Sequence, residues 1–314
     1  MGAPSNGRSA MTGRRAVAAG VAAALAAALA AGCTPTEDGT THPRGTSRSV
    51  LTGEPGAAGR VLAVKIDNVR AARPATGLNS ADLVYGIEVE GGLSRLMAVF
   101  DSNHLPGTVG PVRSARETDL ELLAQYDRPA LAFSGAQSML LPVLKRSDLV
   151  TRTGTGAFFR RSTRSAPHNE YVHTKGLTDG AGTAKDIGLT FASATPAGGT
   201  PDTTASAKMP GARFGFTWSG SSYRVSMDGA RSPWTADNVI IQQVKIRESR
   251  FHSRTGFVPF SETVGQGSAV VLRNGRSYDV RWSRPTEKAG TTYRHDGRTL
   301  PLSPGRTWIV LAPS

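Results

Sequence analysis

The sequence predicts an α+β protein, with a mixed-sheet α/β N-terminal domain followed by a smaller, mostly β C-terminal domain. Three observations predict it. Short β-rich runs between residues 58 and 192 are interleaved with helical spacing. Residues 212–314 carry strand-like runs between tight-turn dipeptides. Between them, residues 193–211 are rich in Thr, Pro, Gly, Ala and Ser and read as a linker or long loop. A chain of 314 residues is long enough for two such cores.

In chain order, Val61–Asp67 reads as a mostly buried strand. Leu83–Glu90 and Leu93–Phe100 flank Gly91-Gly92, a hairpin signal. A two-residue loop there sets Glu90 opposite Leu93 and Glu88 opposite Arg95, so Glu88 and Arg95 form a cross-strand ion pair. Leu120, Leu123 and Ala124 predict a helix within 115–126, stopped by Pro129. Ala130–Phe133 reads as a short buried strand. Gln137–Lys145 reads as a second helix, with Pro142 in its first turn or kinking it.

In the second part, Val239–Ile246, Ala269–Leu272, Ser277–Trp282 and Trp308–Leu311 read as strands. Asn274-Gly275 predicts a type I′ hairpin, and Asp228-Gly229 and Asp296-Gly297 mark further tight turns. Phe214, Phe216, Trp218, Tyr223 and Trp282 alternate with polar residues, as a half-buried sheet requires.

The first 33 residues read as a lipoprotein signal peptide. Arg8, Arg14 and Arg15 form a positive n-region, and Ala16–Ala31 is almost pure Ala, Val and Leu. At sixteen residues that run is shorter than the roughly 20 a membrane-spanning helix needs. Small residues lead into Cys33, the only cysteine, as in a bacterial lipobox, although Ala30 stands where Leu is usual. Lipidation of Cys33 by acyl chains such as palmitate gives stable anchoring, at about 0.8 kcal/mol per buried CH₂. Arg14-Arg15 leaves both Sec and twin-arginine export open. The expected location is the outer face of the cytoplasmic membrane, with residues 34–57 as a flexible tether.

Composition bounds the chemistry. The chain has 37 Lys+Arg against 24 Asp+Glu, a net charge of +13. Removing residues 1–32 takes away three arginines and no acid, which leaves +10. Outside the cytoplasm nucleic acid is not an expected partner. Anionic lipid, anionic cell-wall polymer or other envelope proteins are. A single cysteine excludes an intramolecular disulfide, a CxxC redox pair and a Cys-rich zinc site.

A series of strings then follows in order. They are Lys65-Ile66-Asp67-Asn68, Arg73-Pro74, Gly77-Leu78, Ala81-Asp82-Leu83-Val84-Tyr85 and Val89-Glu90-Gly91-Gly92-Leu93-Ser94-Arg95. Val109-Gly110-Pro111-Val112-Arg113-Ser114-Ala115-Arg116 and Ala166-Pro167-His168-Asn169 come next. This series resembles the DUF3048 family, the YerB-like lipoproteins of Gram-positive bacteria. Gly267-Ser268-Ala269, Asp296-Gly297 and Pro304-Gly305-Arg306-Thr307-Trp308-Ile309 are similar to that family's C-terminal domain. The resemblance covers most of residues 58–314 and implies a lipid-anchored, two-domain α+β protein of poorly defined activity. The sequence departs from the pattern at Gly86, where Glu is expected after Val-Tyr. That removes an acidic group near the hairpin and weakens any carboxylate-pair mechanism.

Candidate chemistry gathers in a few residues. Ser114 and Glu117 have capping-box spacing, which sets Arg113 and Arg116 beside the positive end of a helix dipole. Either internal Asp67, Asp82 or Glu90 offsets them, or an anionic ligand does. Asp67-Asn68 ends a strand; Asp67 is a candidate acid, metal ligand or partner of Arg113, or it makes an Asx turn. His168 lies near Glu170 and His173, but a metal pair from the two histidines needs ligands the sequence does not place, and a structural histidine is the default. His42, His104, His252 and His295 are scattered and read as solvated. No Ser-x-x-Lys, nucleophile elbow, Walker or dinucleotide motif is present, and a lipidated Cys33 leaves no cysteine nucleophile.

Asp67, Asn68, Arg113, Ser114, Arg116, His168 and Asn169 are thus the expected lining of an anion-binding cleft, with no metal and no cofactor. The expected function is a non-enzymatic binding or scaffold protein of the envelope. The alternatives are a hydrolase or lyase on peptidoglycan or another wall glycan, and a binding protein for a small anionic solute. Glu88, Glu90, Asp67 and Asp119 are the carboxylates a glycosidase would draw on.

Overall fold

The computed structural model describes residues 1–2, 47–154, 156–251 and 256–314. Cys33, the signal-peptide segment and most of the tether lie outside the described residues, as do His42 and His252. In chain order the strands and helices are β1 (Val61–Asp67), β2 (Leu83–Glu88), β3 (Ser94–Asp101), β4 (Thr108–Val109), α1 (Glu117–Leu123), β5 (Ala130–Ala132), α2 (Leu141–Arg146), β6 (Val150–Arg152), β7 (Phe158–Arg160) and β8 (Glu170–His173). They continue with β9 (Thr200–Pro201), β10 (Thr204–Met209), β11 (Ala212–Trp218), β12 (Tyr223–Met227), β13 (Ala230–Ala236), β14 (Asn238–Val244), β15 (Ile246–Glu248) and β16 (Pro259–Ser261). The last are β17 (Gly265–Arg273), β18 (Arg276–Arg284), β19 (Thr292–His295), β20 (Arg298–Thr299) and β21 (Thr307–Pro313).

The fold is predominantly β, which corrects the α+β expectation. Helices α1 and α2 have only seven and six residues. The reason is the apolar pattern. β1, β2 and β3 are buried at every position, so they need cover on both faces, and most of that cover is itself β. A mixed sheet runs β20-β19-β18-β17-β14-β21-β2-β3-β1-β5-β6, with β9 on β18. The four-stranded antiparallel sheet β10-β11-β12-β13 supplies Phe214, Phe216, Tyr223 and Trp234 to one apolar cluster, with Leu62, Val64, Ile66, Val84, Leu96 and Phe100 of the large sheet. On the opposite face, Val61, Ala63, Leu83, Met97 and Val99 join Leu122, Leu123, Tyr126, Leu144 and Tyr278.

Strand β21 unites the two parts of the chain. It is parallel to β14 on one side and to β2 on the other, with Leu83 opposite Thr307 and Gly86 opposite Val310. The described residues from 47 to 314 accordingly form one compact unit. The segment 193–211, read as linker or loop, contains β9 and β10; β10 pairs with β11 along Thr204–Met209. The tether reading also fails for its described end. Leu51 is fully buried, and Thr52 accepts the Gly305 N–H at 2.8 Å.

Local expectations fare unevenly. Asn274-Gly275, Asp228-Gly229 and Asp296-Gly297 all take the left-handed conformation and close hairpins. Pro142 sits in the first turn of α2. The β2–β3 register differs by one residue. The turn uses Glu90, Gly91 and Gly92, closed by Val89 N–H to Leu93 C=O, so Ile87 faces Arg95 and Glu88 faces Ser94. A slip of one residue puts a side chain on the other face, and the expected Glu88–Arg95 pair does not form. The α1 cap moves as well. Arg116, not Ser114, is the N-cap, and Asp119 Oδ2 accepts its N–H at 2.7 Å.

Gly86 has a packing role. A Cβ at that position would lie 2.8 Å from Cζ of Phe214, which is fully buried. We expect Gly86→Ala to cost about 1–3 kcal/mol in urea denaturation, as overpacking does. Phe214→Leu in the same chain should recover part of that loss, and simple additivity of the two changes would refute the contact.

Candidate functional site

β1 ends where the loop 111–116 crosses the large sheet. Asp67 N–H donates to Pro111 C=O at 2.9 Å and Arg113 N–H to Lys65 C=O at 2.8 Å, so the loop is laid along the strand. Asp67 points to the face of α1, and its neighbour Asn68 serves the opposite side. This alternation divides the residues singled out from sequence.

Asp67, Arg113 and His168 meet. Asp67 Oδ2 lies 2.7 Å from His168 Nδ1 and 3.2 Å from Arg113 Nε. The carboxylate is 2% exposed, the histidine and arginine about a quarter. The Asp67 contact at Nδ1 leaves Nε2 as the ring's second polar atom. Arg116 lies in the same neighbourhood, held by Glu90 through Nε at 2.7 Å and the second guanidinium nitrogen at 3.0 Å. That bidentate pair needs no helix dipole, and α1 is too short to supply a strong one. The offsetting acids are therefore Asp67 and Glu90. Asp82 is elsewhere, accepting the Asp101 N–H and facing His104 at 2.7 Å, so His104 is not merely solvated. His295 likewise has a partner, the Asp279 carbonyl.

Among the described residues, the side chains of the other three named residues make no hydrogen bond to this cluster. Asn68 donates to Ser94 Oγ at 2.9 Å and receives Arg73 Nε, on the opposite face. Asn169 accepts from Arg160 at 2.7 Å. Ser114 contributes its carbonyl, which accepts Arg95 at 2.9 Å.

Arg95, Lys65 and Asp119 lie outside the expected cleft lining: Arg95 is expected opposite Glu88, and Asp119 only among the carboxylates of a glycosidase. Arg95 is directly opposite Asp67 in the β1–β3 ladder. Among the described residues it makes no carboxylate hydrogen bond. Burial and the like charge of Arg116 and Arg113 push its guanidinium down to about 10, against the pull of Glu90 and Asp67. Beneath it, Lys65 Nζ meets Asp119 Oδ1 at 2.5 Å with both side chains fully buried. Burial outweighs Asp119 and holds the Lys65 ammonium below its usual range. The signal available in sequence was Lys65 two residues before Asp67, hence on the same face of β1.

The cluster is thus three arginines against two carboxylates, resting on a neutralised Lys–Asp pair. It can hold an anion, and His168 can exchange a proton through Nε2. A larger groove, of about 960 Å³, lies elsewhere, between α1, the end of α2 and β16, and does not include Asp67, Arg113 or His168.

Two measurements test these assignments. Lys65→Met should cost about 3–5 kcal/mol, because it strands the Asp119 charge, and Lys65→Met/Asp119→Asn should recover most of it. Glu88 is 6% exposed, its Oε2 has no partner among the described residues, and burial raises its pKa above the ordinary carboxylate range. A raised carboxyl favours folding fully only below its unfolded-state pKa, and the advantage is lost as pH rises through the folded-state pKa. Glu88→Gln should therefore raise the melting temperature relative to wild type at pH 7, with the gain gone at pH 4.

The chain is similar in sequence and fold to known proteins. The chain is 26% identical, over 278 residues, to a Bacillus subtilis (strain 168) protein named "Putative lipoprotein YerB", covering 81% of each. It is similar in fold to the crystal structure of YerB from Bacillus subtilis, with a TM-score of 0.73 at 23% identity, covering 85% of this chain and 97% of that one. The family model described as the N-terminal domain of DUF3048, a protein of unknown function, matches residues 51–187, and that of its C-terminal domain matches 204–309. The two matches span the described β1–β8 region and nearly all of β10–β21, and the chain belongs to the DUF3048 family.

Proposed function

We propose that this chain is an exported, lipid-anchored protein of the bacterial cell envelope that binds an anionic ligand and does not turn it over. The lipid anchor would be at Cys33, after a signal peptide of residues 1–33, and the lipoprotein name of the B. subtilis relative is consistent with that. The observation that carries the binding role is the uncompensated charge around Arg95. Among the described residues, the acidic neighbours of Arg95, Arg113 and Arg116 are Asp67 and Glu90, so an incoming carboxylate or phosphate supplies the missing negative charge. An anionic wall polymer is the ligand the location favours.

The carboxylates speak against a glycosidase pair. Asp119 is sealed against Lys65, Glu90 is held by Arg116, and Glu88 is on the opposite sheet face from Asp67. One observation favours the rival reading, a hydrolase or lyase acting on wall glycan. Asp67 orients His168 through Nδ1, as a base in acid–base catalysis is oriented.

The test uses the full chain in detergent with purified cell wall, following co-sedimentation and released muropeptides by mass spectrometry. We expect sedimentation without release. It should weaken about tenfold in Arg113→Ala/Arg116→Ala and fall with added salt. Thermal melts of the variant separate lost binding from lost fold. Muropeptides released by wild type and not by His168→Gln would replace this reading with the enzymatic one. Neither sedimentation nor release would refute both.

A further inference from the structure

The Asp67-Asn68 step leads to a second concavity on the other side of the sheet. Asn68 receives Arg73 Nε on its carbonyl at 2.8 Å and on its side chain at 3.2 Å. Arg73 in turn reaches Asp228 of the β12–β13 turn at 2.7 Å. Around this contact the loop 70–74 and residues 227–234 enclose a pocket of about 240 Å³. Its floor is apolar: Met227 and Trp234 are 1% and 2% exposed, with Pro74 and Pro233 beside them.

Its rim is cationic. Arg70, Arg73 and Arg231 line it, and no acidic residue does among the described residues. Asp228, just outside, is engaged by Arg73 and by the Arg213 N–H. Among the described residues Arg70 and Arg231 are in no ion pair. Two uncommitted guanidinium groups over an apolar floor select a ligand with an anionic end and a hydrophobic body. Arginine's fixed fork of donors matches phosphate or carboxylate oxygens two at a time. The volume is below the roughly 300–1,000 Å³ of drug-sized ligand sites, which restricts the buried body to about a single ring or a short chain.

We infer that Arg70, Arg73 and Arg231, with Met227 and Trp234 beneath them, form a binding site for a phosphate ester of a small apolar group. The site is built jointly by the two family segments. It is separate from the Arg95–Arg113–Arg116 cluster and stands on its own observations.

The probe is phenyl phosphate, titrated into the full chain in detergent by calorimetry. The indole N–H resonances of the four tryptophans are followed by NMR, with Trp234→Phe to assign the reporter. The Trp234 N–H has no acceptor among the described residues, so its shift responds to what fills the pocket. We expect saturable binding that moves the Trp234 resonance, weaker binding of inorganic phosphate, and none of benzyl alcohol. Arg70→Ala/Arg231→Ala, both surface positions, should lower affinity about tenfold or more, and Arg113→Ala/Arg116→Ala should leave it unchanged. Binding of a soluble short-chain phosphatidylglycerol, lost in the Arg70/Arg231 variant, would identify a lipid headgroup as the source. Phenyl phosphate binding without it would identify a free small molecule. No binding, binding indifferent to Arg70 and Arg231, a still Trp234 resonance, or inorganic phosphate binding equally well would overturn the assignment.

Discussion

The pairing of β2 with β21 is the constraint on which the rest depends. It is a short parallel ladder, Leu83–Gly86 against Thr307–Val310, and it connects two sets of strands that otherwise belong to different stretches of chain. With β14 on its other side, β21 is buried along Thr307–Ala312. Its alternate side chains go to opposite cores, with Trp308 toward the four-stranded sheet and Ile309 toward the helices. Parallel strands need both faces covered, and here each face draws its cover from both family segments. Gly86 shows how tight that cover is: the approach of Phe214 from the four-stranded sheet leaves no room for a side chain.

The same architecture sets the charge. β1 enters as continuous apolar strand, but its C-terminal half turns Lys65 and Asp67 toward α1. Lys65 is neutralised by Asp119, which also caps α1 through Arg116, so one carboxylate fixes both the helix start and the buried ammonium. Glu117, thereby released from capping, is buried against Ser249 and Arg250 of the second segment. Arg95, Arg113 and Arg116 are then left around Asp67 and Glu90, and positive charge accumulates where the loop 111–116 crosses the sheet.

Much of the strand content was legible in the sequence. Runs such as Val61–Ile66 and Trp308–Leu311 are apolar at each step, and Asn-Gly and Asp-Gly steps announce turns because few residues tolerate a positive φ. What was not legible depends on distance or on a single residue of register. Nothing local in Thr307–Leu311 tells that its neighbour is Leu83. Gly91-Gly92 fits a loop of two residues or of three, and the choice moves Arg95 from opposite Glu88 to opposite Ile87. β10 was hidden because only Ala207 and Met209 of its Thr-Ala-Ser-Ala-Lys-Met run are buried. In the site, Asp67, Arg113 and His168 were legible from a strand end and the order of motifs. Asn68 and Asn169 were grouped with them by sequence proximity, but Asn68 leaves the strand toward the side opposite Asp67, and Asn169, in the turn with His168, is taken by Arg160.

The placement of β21 also bears on how the protein comes into being. During synthesis, residue 83 emerges long before residue 307. Until then β2 has an open edge and two half-covered faces, the condition in which chains find wrong partners. Such distant pairing makes folding slow, and the N-terminal segment cannot be completed on its own. A chain of this design therefore completes its sheet only once its late strands have arrived.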